Sequence, residues 1–409
     1  MLVRYNQNEK GKQVKKALVY TPNEHGIDPK KVDSEAIRII AGLHRAGYDA
    51  YIVGGAVRDL LIGKLPKDFD ITTSAEPARI RKIFKNSRII GKRFRLVHVF
   101  YGQKIYEVST FRSLEEGTVG NMFGSIDEDV LRRDFTLNAL YYDPIKNIII
   151  DYVGGVEDIR KKRLQPIISL SDIFVEDPVR MLRAVKYATI TEATIPLLLR
   201  YRLHRDAPLL EYVSPSRLTE EINKILMSGH AADIFRILMK YRLFLYLQPS
   251  AFAFIEDSPN FAEHYFASMH ALDTLIKEHK IQRQGQALFY FIKDFSQLIT
   301  DWEGDPRSVY KTVYAECRHF VLPMNPQRIE LEYAVKSFLR TGGLDIRLTA
   351  ATKTKEAPPS RRQRGTRQSG SSKQGGRYAG KRRKTTALDG SSPAAAGSAA
   401  ETKKENRHN

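Results

Sequence analysis

The chain is short of cysteine, of long apolar runs and of negative charge, and each shortage removes a class of function. Cys317 is the one cysteine in 409 residues, so the chain has no internal disulfide partner and suits a reducing compartment. No Cys/His cluster has zinc-site spacing. No run reaches eighteen apolar residues, and the opening MLVRYNQNEKGKQ lacks the apolar stretch of a signal peptide. These absences predict a cytoplasmic protein with no membrane partner. There is no internal repeat. Acidic residues are the third shortage: 47 Asp and Glu stand against 66 Lys and Arg, a net charge of +19. Residues 353–409 hold fifteen Lys and Arg and four Asp and Glu, so more than half of the excess sits in the last seventh of the chain. The remainder is itself basic, as expected of a protein that docks a polyanion.

The most informative stretch present is Tyr51–Thr73, YIVGGAVRDLLIGKLPKDFDITT. An apolar strand enters a Gly-Gly turn, a short helix follows with an Arg-Asp pair, and a second strand delivers Asp68-Phe69-Asp70. Alternate residues of a strand share a face, so Asp68 and Asp70 aim at one spot while Phe69 packs behind. Two neighbouring carboxylates repel unless a divalent cation lies between them. Gly54 and Gly55 let the backbone approach a ligand closely, and the following helix start offers N–H groups to an anion. Carboxylate-held metal beside a phosphate cradle is the layout of two-metal phosphoryl or nucleotidyl transfer.

Hydrophobic periodicity divides the rest. Residues 1–32 read as a polar leader with few anchors. Residues 33–155 alternate helix and strand signals: a helix over 34–46, strands over 49–53 and 68–72, a helix over 77–84, a hairpin of 94–101 with 104–111 around Gly102, and a strand over 147–153. Residues 156–228 form a helical neck and 229–345 a helical body, with helices predicted over 176–189, 215–227, 231–241, 263–279 and 328–339. Residues 352–409, rich in Arg, Gly and Ser, cannot bury a core and read as a disordered basic tail. The fold class is α+β, with an all-helical neck and body behind the head.

Three further segments bear chemistry. Glu107, in KIYEVSTFR, and Asp134, in LRRDFTLNALYY, are both candidates for a third carboxylate; a helical turn would place Asp134 and Asn138 on one face. In EDPVRMLRAVKYA, Asp177, Arg180 and Arg183 recur every three residues, and an Asp acceptor with an Arg donor can hydrogen-bond a base edge. Met181, Leu182, Val185 and Ala188 of that segment read as core. Gly154–Gly155 reads as a structural strand-to-helix turn.

In this order, GGAVRDLLIGKLPKDFD, EVSTFR, RRDFTLNALYYD, DYVGG and EDPVRMLRA resemble the class II poly(A) polymerase / CCA-adding tRNA nucleotidyltransferase family, of the polymerase-β-like nucleotidyltransferases. The resemblance is dense from Tyr51 to Tyr187 and looser beyond. It implies Mg²⁺ on Asp68 and Asp70, and the incoming triphosphate on Gly55 and Arg58, with Gly54 and Arg112 in the same nucleotide-binding set. It also implies that Arg133, Asp134 and Asn138 attend the catalytic centre and sugar, and that Asp177, Arg180 and Arg183 face the base. Asp134 and Glu107 both stay candidates for the third acidic role. The basic segment GKRFRLVHVFYG, the double Tyr of NALYYD, the leader YTPNEHGIDPKKV, ECRHFVLPMNPQR and the basic tail are similar to the poly(A) polymerase branch. That branch implies AMP transfer from ATP to RNA 3′ ends without a template, in RNA polyadenylation; the alternative is CCA addition to tRNA.

Overall fold

The structure is a computed structural model that describes residues 2–7, 13–91, 96–113 and 123–344, all within one compact unit, residues 1–348. The expected tail over 352–409 and the first residues of the expected 94–101 strand lie outside the described residues. Nine strands build the head: β1 (Leu2–Gln7), β2 (Gln13–Tyr20), β3 (Ala50–Val53), β4 (Asp70–Thr73), β5 (Ser87–Ile90), β6 (Leu96–Tyr101), β7 (Lys104–Thr110), β8 (Leu140–Asp143) and β9 (Ile148–Asp151). They form one sheet in the order β1-β2-β9-β8-β3-β4-β7-β6-β5. The β4–β7 pairing is parallel, with Ile71 opposite Val108, and the other pairings are antiparallel.

Six helices accompany the sheet: α1 (Pro22–His25), α2 (Ser34–Arg45), α3 (Gly55–Leu61), α4 (Pro77–Ile83), α5 (Ile126–Leu131) and α6 (Gly155–Arg160). In α2, Ala36, Ile39, Ile40 and Leu43 recur at helical spacing and are all buried. Strand alternation then sorts the sheet's two faces. Ile52, Ile71, Val97, Val99, Tyr106 and Val108 join the α2 and α4 side chains in one core. Tyr51 and Val53 turn the other way and pack with Phe111, Val130, Tyr141 and Ile150.

The first 32 residues correct the expectation of a loosely anchored leader. They supply β1, β2 and α1, and Ala17, Val19, Tyr20, Ile27 and Val32 are buried. β2 pairs along its length with β1 and, at Leu18–Tyr20, with β9, some 130 residues away in sequence, and these pairings make a polar segment with two adjacent lysines a strand. The Gly154–Gly155 turn is structural, as expected: Gly154 takes φ +84° and the Asp151 carboxylate accepts from the N–H groups of residues 153–156.

Eleven described helices follow: α7 (Ile173–Glu176), α8 (Arg180–Thr191), α9 (Leu197–Arg205), α10 (Pro215–Leu226), α11 (Ala231–Lys240), α12 (Phe244–Leu247), α13 (Pro249–Asp257), α14 (Pro259–Lys277), α15 (Gln284–Ile299), α16 (Pro306–Phe320) and α17 (Arg328–Thr341). The helix expected over 176–189 is broken into α7 and α8. Pro178 disfavours helical backbone at the residue before it, and Asp177 is extended at φ −148°. The body core centres on aromatics such as Phe235, Phe244, Tyr265 and Phe291. Among the described residues no helix is long and apolar enough to cross a membrane.

Candidate active site

The site lies where β3 leaves the sheet and β4 enters it. Gly54 caps α3 at φ +68°, ψ −133°, a backbone region that side chains avoid. A Cβ there would sit 4.0 Å from both Arg133 Nη1 and Asp70 Oδ2, so the turn runs directly past the acid and the base. Val53 is opposite Asp70 in the β3–β4 register. Asp68 lies just before β4 rather than in it. Phe69 is nevertheless buried while Asp68 and Asp70 are exposed, so the two carboxylates share the open side as alternation requires.

Loss of hydration to the surrounding protein mass, together with the negative charges of Glu107 and Asp68, pushes the Asp70 carboxyl up to about 6 although its side chain stays open to solvent; Arg133 and Lys224 act against the rise. Of the two candidates for the third acid, Glu107 is the one whose charge reaches Asp70. Asp134 faces a different set of groups. Its Oδ1 accepts from the Phe135 N–H at 2.8 Å and from Asn138 Nδ2 at 3.3 Å, and its Oδ2 is 3.9 Å from Arg183 Nη1. Asp134 and Asn138 meet through a bend and a short 3-10 turn, not through one α-helical face. Among the described residues no three His, Cys, Asp or Glu side chains are gathered as a metal-holding group; the aspartates offer a pair.

The remaining expected residues form a polar relay behind the Gly turn. Arg58, buried, donates to Asn138 Oδ1 at 3.0 Å and to Asp59 at 2.7 and 2.9 Å, and its guanidinium lies 5.1 Å from the Tyr187 ring centre. Asn138 touches Asp134, and Asp134 faces Arg183. Arg183 Nε donates to Glu221 at 2.9 Å, and Lys186 Nζ donates to the other oxygen at 2.7 Å. Burial alone would raise the Glu221 carboxyl, but the Lys186 and Arg183 cations hold it down at about 2. The relay thus connects the Gly turn to α8.

Arg133 is fixed at four points: Asp129 at 2.9 Å, Tyr141 OH and the Asn138 carbonyl at 3.1 Å each, and the Tyr141 ring face. The Arg112 N–H donates to the same Asp129 at 3.3 Å, and burial lowers the Arg112 guanidinium. Asp177 and Arg180 are adjacent but paired elsewhere. Asp177 accepts from Arg217 at 2.8 and 2.9 Å, and Arg180 donates to Glu176 at 2.8 Å and the Ile173 carbonyl at 3.1 Å. Asp129, Tyr187, Arg217, Glu221 and Lys224 escaped the sequence analysis. The four-residue spacing of Asp129 and Arg133 was the one local signal; the others depend on how α8 and α10 pack.

A sheet-based head carried on a helical body is a fold shared with CCA-adding enzymes. A CCA-adding enzyme in apo form II superposes with TM-score 0.51 at 18% identity, over 80% of this chain and 86% of that one. Residues 50–165 match the family model "Poly A polymerase head domain", and residues 199–255 match "Probable RNA and SrmB-binding site of polymerase A". Poly(A) polymerase I of Escherichia coli O157:H7 is 42% identical over 243 residues, 56% of this chain and 52% of that protein. The CCA-adding enzyme of Geobacillus kaustophilus is 36% identical over 221 residues, 52% of this chain and 54% of that protein. These similarities support the poly(A) polymerase / CCA-adding enzyme family as the one to which residues 50–165 and 199–255 are related. The chain spans about half the length of the curated relatives it matches.

Proposed function

We propose that the protein is a polynucleotide adenylyltransferase that transfers AMP from ATP to RNA 3′ ends without a template and releases pyrophosphate. The observation that carries this reading is the Asp68–Asp70 pair set against the Gly54–Gly55 turn, with the Asp70 carboxyl raised to about 6 by desolvation first and then by the negative charges of Glu107 and Asp68. Such a charge surplus fits a divalent cation, and Asp68 and Asp70 are the residues that would hold Mg²⁺. When bound, Mg²⁺ would supply Lewis acidity toward the RNA 3′-hydroxyl and charge neutralisation at the leaving pyrophosphate.

The chain's own residues do the rest. Gly54 and Gly55 admit the triphosphate close to the backbone, and Arg58 offers it positive charge beside the turn. Glu107 takes the third acidic role, since its charge reaches Asp70, while Asp134 and Asn138 hold Arg58 and Arg183 in register and attend the sugar. Arg133, pinned by Asp129 and Tyr141, is a fixed cation at the catalytic centre. Arg112 completes the nucleotide set. Asp177, Arg180 and Arg183 offer an acceptor and donors to the base. The new bond joins the RNA 3′-oxygen to the α-phosphorus, and the bond from that phosphorus to the β-phosphate bridging oxygen breaks.

Hydrogen-bond types alone do not separate adenine from cytosine, because both offer an amino donor beside a ring-nitrogen acceptor. ATP is favoured by the higher identity to poly(A) polymerase I, 42% against 36% for a CCA-adding enzyme. Primer extension tests the reading. An unstructured RNA and a tRNA lacking its CCA end are each offered single labelled nucleotides. Repeated AMP addition to the unstructured RNA is expected; CMP addition confined to the tRNA would replace this reading with CCA addition.

A further inference from the structure

Beyond Asp70, the last third of the head sheet carries no core among the described residues on its catalytic side. The apolar cluster on that side contains Tyr51, Val53, Tyr141 and Ile150 and no residue of β5, β6 or β7. On these three strands Val97, Val99, Tyr106 and Val108 turn toward α2 and α4, so the alternate residues face the way Asp70 faces. Their register makes a row. Glu107 on β7 lies opposite His98 on β6, with Nε2 3.5 Å from Oε1, and His98 lies opposite Arg88 on β5. Phe100 lies opposite Ile105, which is 53% exposed. The His98 and Phe100 rings are half-buried and meet edge to face at 6.4 Å. The row leads from the carboxylates through two rings to a guanidinium at the sheet edge. Three strand spacings separate Asp70 from Arg88, roughly 14 Å.

Charge points the same way. Between Pro77 and Tyr106 the chain holds nine Lys and Arg and no Asp or Glu. Arg88, which strand register turns to the same face as His98, is exposed and in no ion pair with a described residue, whereas the exposed Arg79, Arg81 and Lys82 are carried by α4, whose Ile80 packs in the core on the opposite face. Rings that any base can stack on, with an unpaired guanidinium beside them, are how single strands are gripped without sequence readout. An enzyme that works without a template needs a grip of that kind.

We propose that the open face of β5, β6 and β7 is a platform for the last few nucleotides of a single-stranded RNA, leading its 3′ end to Asp70. Bases stack on His98 and Phe100, and Arg88 takes a backbone phosphate. The proposal rests on the reading of RNA 3′ ends as the acceptor. It lies outside residues 199–255, which match the RNA-binding family model.

The test uses the full chain and a fluorescein-labelled octa-adenylate ending in a 3′-deoxy nucleotide, without ATP, followed by anisotropy. Arg88→Ala and Phe100→Ala should each weaken binding about five- to tenfold, with Phe100→Trp restoring it. Arg88→Ala should also flatten the slope of log K against log salt by about 0.7, one phosphate contact. A second measurement covers poor folding of Phe100→Ala. RNA carrying 4-thiouridine two or three nucleotides from its 3′ end is photocrosslinked to the wild-type chain, and crosslinks within residues 96–106 are expected. Wild-type affinity in folded Arg88→Ala and Phe100→Ala, or crosslinks found solely elsewhere, overturns the platform. Extension of the same octamer with a free 3′-hydroxyl is scored separately. A chain that binds the octamer through these residues and never extends it refutes the adenylyltransferase reading and leaves the platform standing.

Discussion

Asp70→Asn separates the charge on this site from its packing. The folded-state carboxyl is raised from 3.8 to about 6, by desolvation first and then by Glu107 and Asp68. The folded protein therefore holds a proton that the unfolded chain has lost between about pH 4 and pH 6, and stability falls as pH rises through that window. At 1.36 kcal/mol per tenfold change in acidity the rise corresponds to about 3 kcal/mol. The Asp70 side chain is exposed and water screens it, so about 1 kcal/mol is the better expectation. In EDTA at about pH 8 the Asn variant should be more stable than wild type by that amount, and the difference should vanish by about pH 4. Urea denaturation at both pH values measures it. Adding Mg²⁺ at a hundred times its Kd should stabilise wild type by about 2.7 kcal/mol and the variant far less, and the variant should not extend RNA. An Asn variant less stable than wild type at about pH 8 would show that Asp70 is held by favourable contacts, and the charge-surplus basis for a metal would be lost.

Glu221→Gln leaves Arg183 and Lys186 without their shared carboxylate and should cost about 3–5 kcal/mol, read by thermal and urea melts. In wild type this carboxyl, held at about 2, contributes stability that is complete above its unfolded pKa and is lost as pH falls toward 2. Arg180→Ala should weaken discrimination between ATP and other nucleotides more than it weakens RNA binding; equal losses in single-nucleotide incorporation and RNA anisotropy would make Arg180 a structural residue. Ending the chain before Thr352 removes fifteen Lys and Arg with four Asp and Glu. Turnover on saturating short primer should persist while affinity for long RNA falls and its salt dependence becomes shallower. An unchanged salt slope on long RNA would show that the tail makes no phosphate contacts.

What the sequence determined by itself was local. Short-range sterics and periodicity made the Gly54–Gly55 turn, the shared side of Asp68 and Asp70, the Gly154–Gly155 turn and most helix positions legible, because each depends on neighbours within a few residues. The family motifs added which residue types belong to one site. The tertiary structure decided whatever depends on distant pairing. The strands of residues 1–32 join the sheet because β9, some 130 residues on, offers β2 an edge. Glu107 came within reach of Asp70 only because β7 pairs in parallel with β4, a crossover that no spacing along the chain encodes. Arg183 and Lys186 found Glu221 some 35 residues further on, where α10 packs beside α8. The open face of β5 to β7 is likewise a property of strand register and of where the covering core stops. Strand pairing and helix packing are contacts between segments far apart in sequence, and the free energy that selects them resides in surfaces that exist only once the chain has folded.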